Sequence, residues 1–205
     1  MMISSTSHST LPSRMPTSAS SSIMTPTPST IPTLRPTSPS PTESTSVVNI
    51  LLHQYATGIQ YNSVASSDLL QLGCTTCYDV PYSSWTTASN ITSCIGPNLF
   101  VGARLSNSST FLLGAYDSAD TIHKKTAVGT AHFSNGVYWY FVSNYSFGFL
   151  DSPDLFQNEA DVGDTSSDSR LSWHLDLLVG GYRAGSHVDL NFNTSFRKAI
   201  YTVQR

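Results

Sequence analysis

Seven short apolar or aromatic runs, each closed off by turn residues, fill the C-terminal half of the chain: NLFVGARL, STFLLGAYD, GVYWYFV, YSFGFL, RLSWHLD, GGYRAGSHVDLN and FRKAIYTV. Runs this short and this rich in β-branched and aromatic residues read as strands. Their number and spacing predict a mainly β fold, an antiparallel β-sandwich with one or two short N-terminal helices. Within SNGVYWYFVSNYSFGFL, Asn135-Gly136 has the chemistry of a tight hairpin turn, and Ser143 to Ser146 reverses the chain again, so neighbouring strands should form a meander.

Side chains alternate across a strand, which places Val137, Trp139 and Phe141 on one face and Tyr138, Tyr140 and Val142 on the other. In RLSWHLD the same rule sets Leu171, Trp173 and Leu175 towards the core, opposite a face of Ser172, His174 and Asp176 that is expected to be wet. Two helices are expected upstream. VVNILLHQYATG spaces Val48, Leu51, Leu52, Tyr55 and Ile59 helically, with Gly58 near its end. TTASNITSC offers Thr86 or Thr87 as an N-cap and gathers Ala88, Ile91 and Cys94 on one side.

Residues 1–46 differ in kind: they hold 14 Ser, 10 Thr and 8 Pro, with Arg14, Arg35 and Glu43 as their ordinary charges. Fixing a backbone costs roughly 1–2 kcal/mol per residue, and so little apolar area cannot offset it. The expected organisation is a disordered Ser/Thr/Pro-rich stalk over 1–46, followed by a β-rich globular domain over 47–205. That domain contains every aromatic residue and every glycine, and carries 8 Lys and Arg against 12 Asp and Glu without a basic patch. Nucleic acid is excluded as a partner on this balance. No run approaches the ~20 apolar residues that span a bilayer, and the opening MMISSTSHST lacks the basic and apolar regions of a secretory signal.

Other features point outside the cell. Four Asn-X-Ser/Thr sequons begin at Asn90, Asn107, Asn144 and Asn193, and the stalk suits O-glycosylation. The expected location is extracellular or at the cell surface, with the signal or anchor not visible in this sequence. Cys74, Cys77 and Cys94 permit one internal disulfide. Cys77 to Cys94 is the expected pair and Cys74 to Cys94 the alternative. A zinc site would instead need His123 or His132 as a fourth ligand, and no second paired motif accompanies CTTC.

No Gly-X-Ser-X-Gly elbow, His-Glu-X-X-His pair or phosphate loop occurs, and His174 with Asp176 lacks an activated nucleophile, so a non-enzymatic domain is expected. Asp151, Asp154, Glu159, Asp161, Asp164 and Asp168 crowd one stretch whose spacing does not match an EF-hand; a solvated acidic loop is expected there, and no cofactor, with Ca²⁺ the metal it would take. Rigid aromatics with polar tips suit polar ligands such as sugars. On that basis Tyr138, Tyr140, His174, Asp176, Tyr182 and Arg183 are the candidate ligand-binding residues.

The series NGVYWYF, SFGF, RLSWHL, GGYRAG and FRKAIY, preceded by CYDVPYSSWTTASNITSC and LFVGA, resembles a β-rich domain of secreted or surface invertebrate proteins that carry Ser/Thr-rich stalks. The resemblance spans Cys74 to Tyr201, implies an extracellular and modular setting, and brings no activity, cofactor or catalytic residue with it. The function expected is an extracellular recognition or adhesion module with glycans or glycoproteins as ligands; the alternative is a matrix or coat component that self-associates.

Overall fold

A computed structural model of the chain describes residues 57–155, 161 and 166–204. The expected stalk, and the entry helix expected from Val48, lie outside these residues apart from the helix's last positions. So do Glu159 and Asp164 of the acidic stretch.

The described strands are β1 (Gln60–Tyr61), β2 (Thr75–Pro81), β3 (Asn98–Leu105), β4 (Phe111–Ser118), β5 (His132–Ser134), β6 (Val137–Val142), β7 (Ser146–Leu150), β8 (Leu171–His174), β9 (Gly181–Ala184) and β10 (Phe196–Val203). They form two five-stranded sheets, in the orders β1-β4-β3-β10-β2 and β5-β6-β7-β8-β9, with antiparallel pairing throughout. The second sheet is the expected meander. Its first turn is Asn135-Gly136, where φ is +46° and +77°, the left-handed pair that a two-residue hairpin demands.

Alternation builds the core. Leu99, Val101, Ala103, Leu113, Ala115 and Ile200 from the first sheet form one buried cluster with Trp139, Phe141, Phe147, Phe149, Leu171 and Trp173 from the second. The opposite face of the first sheet is also covered: Phe100, Phe111, Ala199, Tyr201 and Val203 join Val64, Leu69 and Cys74 in a second cluster. Leu69 comes from a short helix, Ser66–Gln71, whose Asp68 carboxylate accepts the Ala65 N–H at 3.0 Å. That helix is not expected from the sequence; the helix expected in TTASNITSC spans Ala88–Thr92. Thr87 is its N-cap: its hydroxyl accepts the Asn90 N–H at 3.2 Å, and the Asn90 amide oxygen accepts the Thr87 N–H at 2.8 Å.

The disulfide joins Cys77 on β2 to Cys94 just beyond that helix, with Cα atoms 5.6 Å apart, and leaves Cys74 as a buried free thiol. Two of the three thiolates that a three-cysteine zinc site would require are thereby consumed, and the described residues hold no group of three His, Cys, Asp or Glu placed to bind a metal. No helix among the described residues is long and apolar enough to cross a membrane.

Three expectations about strands are corrected. First, Ser172 and His174 are buried rather than wet. β8 lies between β7 and β9, and its outer face is closed by Tyr140, Arg183 and Asp161, all fully buried. Second, β8 ends at His174; Asp176 sits at φ +57° in the following turn, and its carboxylate accepts the Ala88 N–H at the start of the helix. Third, the GGYRAGSHVDLN run yields only the four residues of β9, after which a turn and a short 3-10 segment, Leu190–Phe192, carry the chain to β10.

The acidic stretch is not simply a solvated loop. Asp151, Asp154 and Asp168 are exposed, but Asp161 is fully buried and pairs with Arg170 at 2.7 Å, with Arg183 at 3.8 Å on its other carboxylate oxygen. Arg183 also donates to the Asp161 carbonyl at 3.1 Å and to the Gly185 carbonyl at 3.1 Å. Two guanidinium groups sharing a buried carboxylate tie this stretch to the outer face of the second sheet.

Candidate functional site

A cleft of about 400 Å³ opens between the end of β1 in the first sheet and the turn that follows β9 in the second. One wall is built on the first sheet. β1 pairs with β4, placing Tyr61 opposite Leu113, and the Asn62 N–H reaches the Leu112 carbonyl at 3.2 Å. The other wall is the turn after β9, closed by reciprocal backbone bonds between Ala184 and His187 of 2.9 and 3.2 Å. Leu112, Leu113 and Ala184 give the cleft apolar surface; Tyr61, Asn62, Asp168, Ser186 and His187 give it polar groups.

Gly185 positions the acidic member of this set. Its N–H donates to the Arg170 carbonyl at 2.8 Å, its φ is +61°, and a side-chain carbon placed on it would lie 3.0 Å from the Asp168 carbonyl oxygen. Asp168 therefore approaches the turn as closely as it does because residue 185 has no side chain. Tyr61 is 43% exposed at the cleft. Partial burial raises the Tyr61 hydroxyl above its ordinary pKa; the Asp151 carboxylate raises it further, the nearby Ser169 hydroxyl opposes this, and Asp168 adds to the rise. Both carboxylates thus act on this one ring.

The six candidate ligand residues named from the sequence do not converge here. Tyr140 is fully buried and donates to the Leu171 carbonyl at 3.1 Å, lying so close over Gly148 that a side-chain carbon there would sit 2.5 Å from its hydroxyl. Arg183 is committed to the buried cluster with Asp161. Neither presents a surface to a ligand. His174 is buried and meets Tyr182 edge-on, ring centroids 6.0 Å apart. Tyr138 is half-buried against Phe133 of the edge strand β5, at 4.9 Å, and Asp176 caps a helix. The structure brings His174 to Tyr182, and leaves Tyr138 on another edge.

Of the four sequons, Asn107 and Asn144 are exposed in turns. Asn90 and Asn193 are half-buried, with amide oxygens engaged by the Thr87 and Ser195 N–H groups. Sequence reasoning missed Tyr61, Asn62, Asp168 and His187 as a set. The signal available was the AGSH turn, since a glycine between a strand and a polar turn marks a close backbone approach.

A two-sheet, disulfide-tied β domain with a cleft between its sheets' strand ends is the class that these features define. No protein-family model, curated protein or solved structure matches the chain.

Proposed function

We propose that this chain is an extracellular recognition or adhesion module that binds glycans or glycoproteins in the cleft beside β1. The observation that carries the reading is the union, in one 400 Å³ cleft, of the Tyr61 ring with the Asp168 carboxylate and the Asn62 amide. An aromatic face covers the apolar side of a sugar ring, while carboxylate and amide groups hydrogen-bond its hydroxyls. The disulfide supports an oxidising compartment, and Asn107 and Asn144 are the positions we assign to N-linked glycans.

A glycan array probed with the full chain, with and without Ca²⁺ and beside Tyr61→Ala, tests the reading. Selective binding that the variant loses while remaining folded supports it. Absence of binding to every glycan overturns it. In that case the matrix or coat reading takes its place, favoured by Phe133, which stands 63% exposed on the short edge strand β5; sedimentation across a concentration series would then show self-association.

A further inference from the structure

We infer that the cleft selects ligands bearing an ammonium group, the chemistry of an unacetylated amino sugar. This deepens the glycan reading above and rests on it.

The argument begins with charge. Asp168 lines the cleft and is exposed, and Asp151 lies near enough to act electrostatically on the Tyr61 ring. Arg170 and Arg183 both turn inward onto Asp161 and neither reaches into the cleft. No lysine or arginine lines the cleft, and its one basic side chain is the His187 imidazole, so His187→Gln, titrated beside the parent, should keep the preference. A neutral sugar gains nothing from that imbalance, whereas an ammonium group forms a charge-assisted bond with a carboxylate.

The second part is the ring. Tyr61 lines the cleft, and an aromatic face attracts a cation through its quadrupole. Asp168 is held at the same cleft by the close packing of its backbone on Gly185, so its backbone position is set before any ligand arrives. An N-acetyl group in place of the ammonium would remove both interactions and set a carbonyl oxygen near Asp168.

The test is calorimetric titration of the full chain at pH 6, where the sugar amine carries its proton, with a glucosamine tetramer and an N-acetylglucosamine tetramer. We expect the glucosamine tetramer to bind about tenfold more tightly, and the preference to weaken as salt rises. Asp168→Asn, isosteric and exposed, should erase the preference. Tyr61→Leu should weaken both ligands and Tyr61→Phe should retain the preference, since a phenyl ring keeps the quadrupole. If the acetylated tetramer binds as well or better and its binding depends on Tyr61, the charge selection is wrong while the glycan reading stands. If neither tetramer binds but neutral glycans on the array do, the inference fails alone; if nothing binds anywhere, both fail.

Discussion

Lys198 donates to the Thr86 hydroxyl at 2.5 Å and to the Ser84 carbonyl at 2.6 Å, while fully buried between the two sheets against Tyr82. It forms no ion pair among the described residues. Burial lowers its pKa to about 7. Thr86 binds Tyr78 as well, through a 2.8 Å contact between hydroxyls, so the ammonium is solvated by hydroxyl and carbonyl oxygens alone.

The sign of the resulting pH dependence follows from linkage. Lys198 binds its proton less well folded than unfolded, so between pH 7 and the ordinary lysine value of about 10.5 the unfolded chain holds more protons and stability rises with pH. Below pH 7 the full penalty applies. Lys198→Met should therefore be more stable than the parent at pH 6, by on the order of a few kcal/mol, with the gap closing as pH approaches 10. Denaturant unfolding at pH 6, 8 and 10 measures this, and parallel curves for the two proteins would refute it.

Trp139 is a core anchor on the face expected from alternation, 1% exposed, with its indole N–H donating to Asp117 at 3.1 Å. Trp139→Ala should cost ~3–5 kcal/mol in denaturant unfolding, as large-to-small changes at buried aromatics do. An unchanged unfolding midpoint would remove Trp139 from the core.

The cysteines make a separable prediction. Cys77→Ser should lose about 3 kcal/mol through the freed loop. Cys74→Ser should keep the disulfide, and the parent should show one thiol that reacts with a thiol reagent only after denaturant is added, because Cys74 is buried and burial raises its pKa. Two thiols reactive in the native protein would contradict the pairing.

Gly185→Ala tests how the cleft is shaped. The substitution forces a side chain into a left-handed backbone and against the Asp168 backbone. Glycan affinity should fall at least about tenfold, while Asp120→Ala, an exposed control on the helix at Ala119–Ile122, leaves it unchanged. Equal affinities for the two variants would detach Asp168 from recognition.

Much of the fold was legible because its signals are local. β3, β6, β7 and β10 carry their signal within five to eight residues, and Asn135-Gly136 announces its own turn. β2 was hidden because Thr75–Pro81 lies on a sheet edge, has no buried face to impose alternation, and ends in a proline that an edge tolerates. Ser172 and His174 look wet in sequence because what covers them, Arg183 and Asp161, comes from other segments. The cleft was illegible for the same reason on a larger scale: Tyr61, Asp168 and His187 meet only after both sheets have formed. Of the residues chosen for chemistry, Tyr140 and Arg183 fall in the interior because aromatic and basic types serve a sheet's covered face as readily as a ligand.

β10 sits between β3 and β2, yet it is synthesised after the other nine strands. Until it arrives, β2 has no strand partner, and β3 has only β4. Closure of the first sheet is thus a late, long-range event, the kind that slows folding and leaves strand edges open to other chains. The Cys77–Cys94 bridge closes a loop that is complete before β3 begins, so oxidation can tether β2 to the entry of β3 in the nascent chain. The bridge thus ties together the two strands that β10 will later join, before β10 has been made.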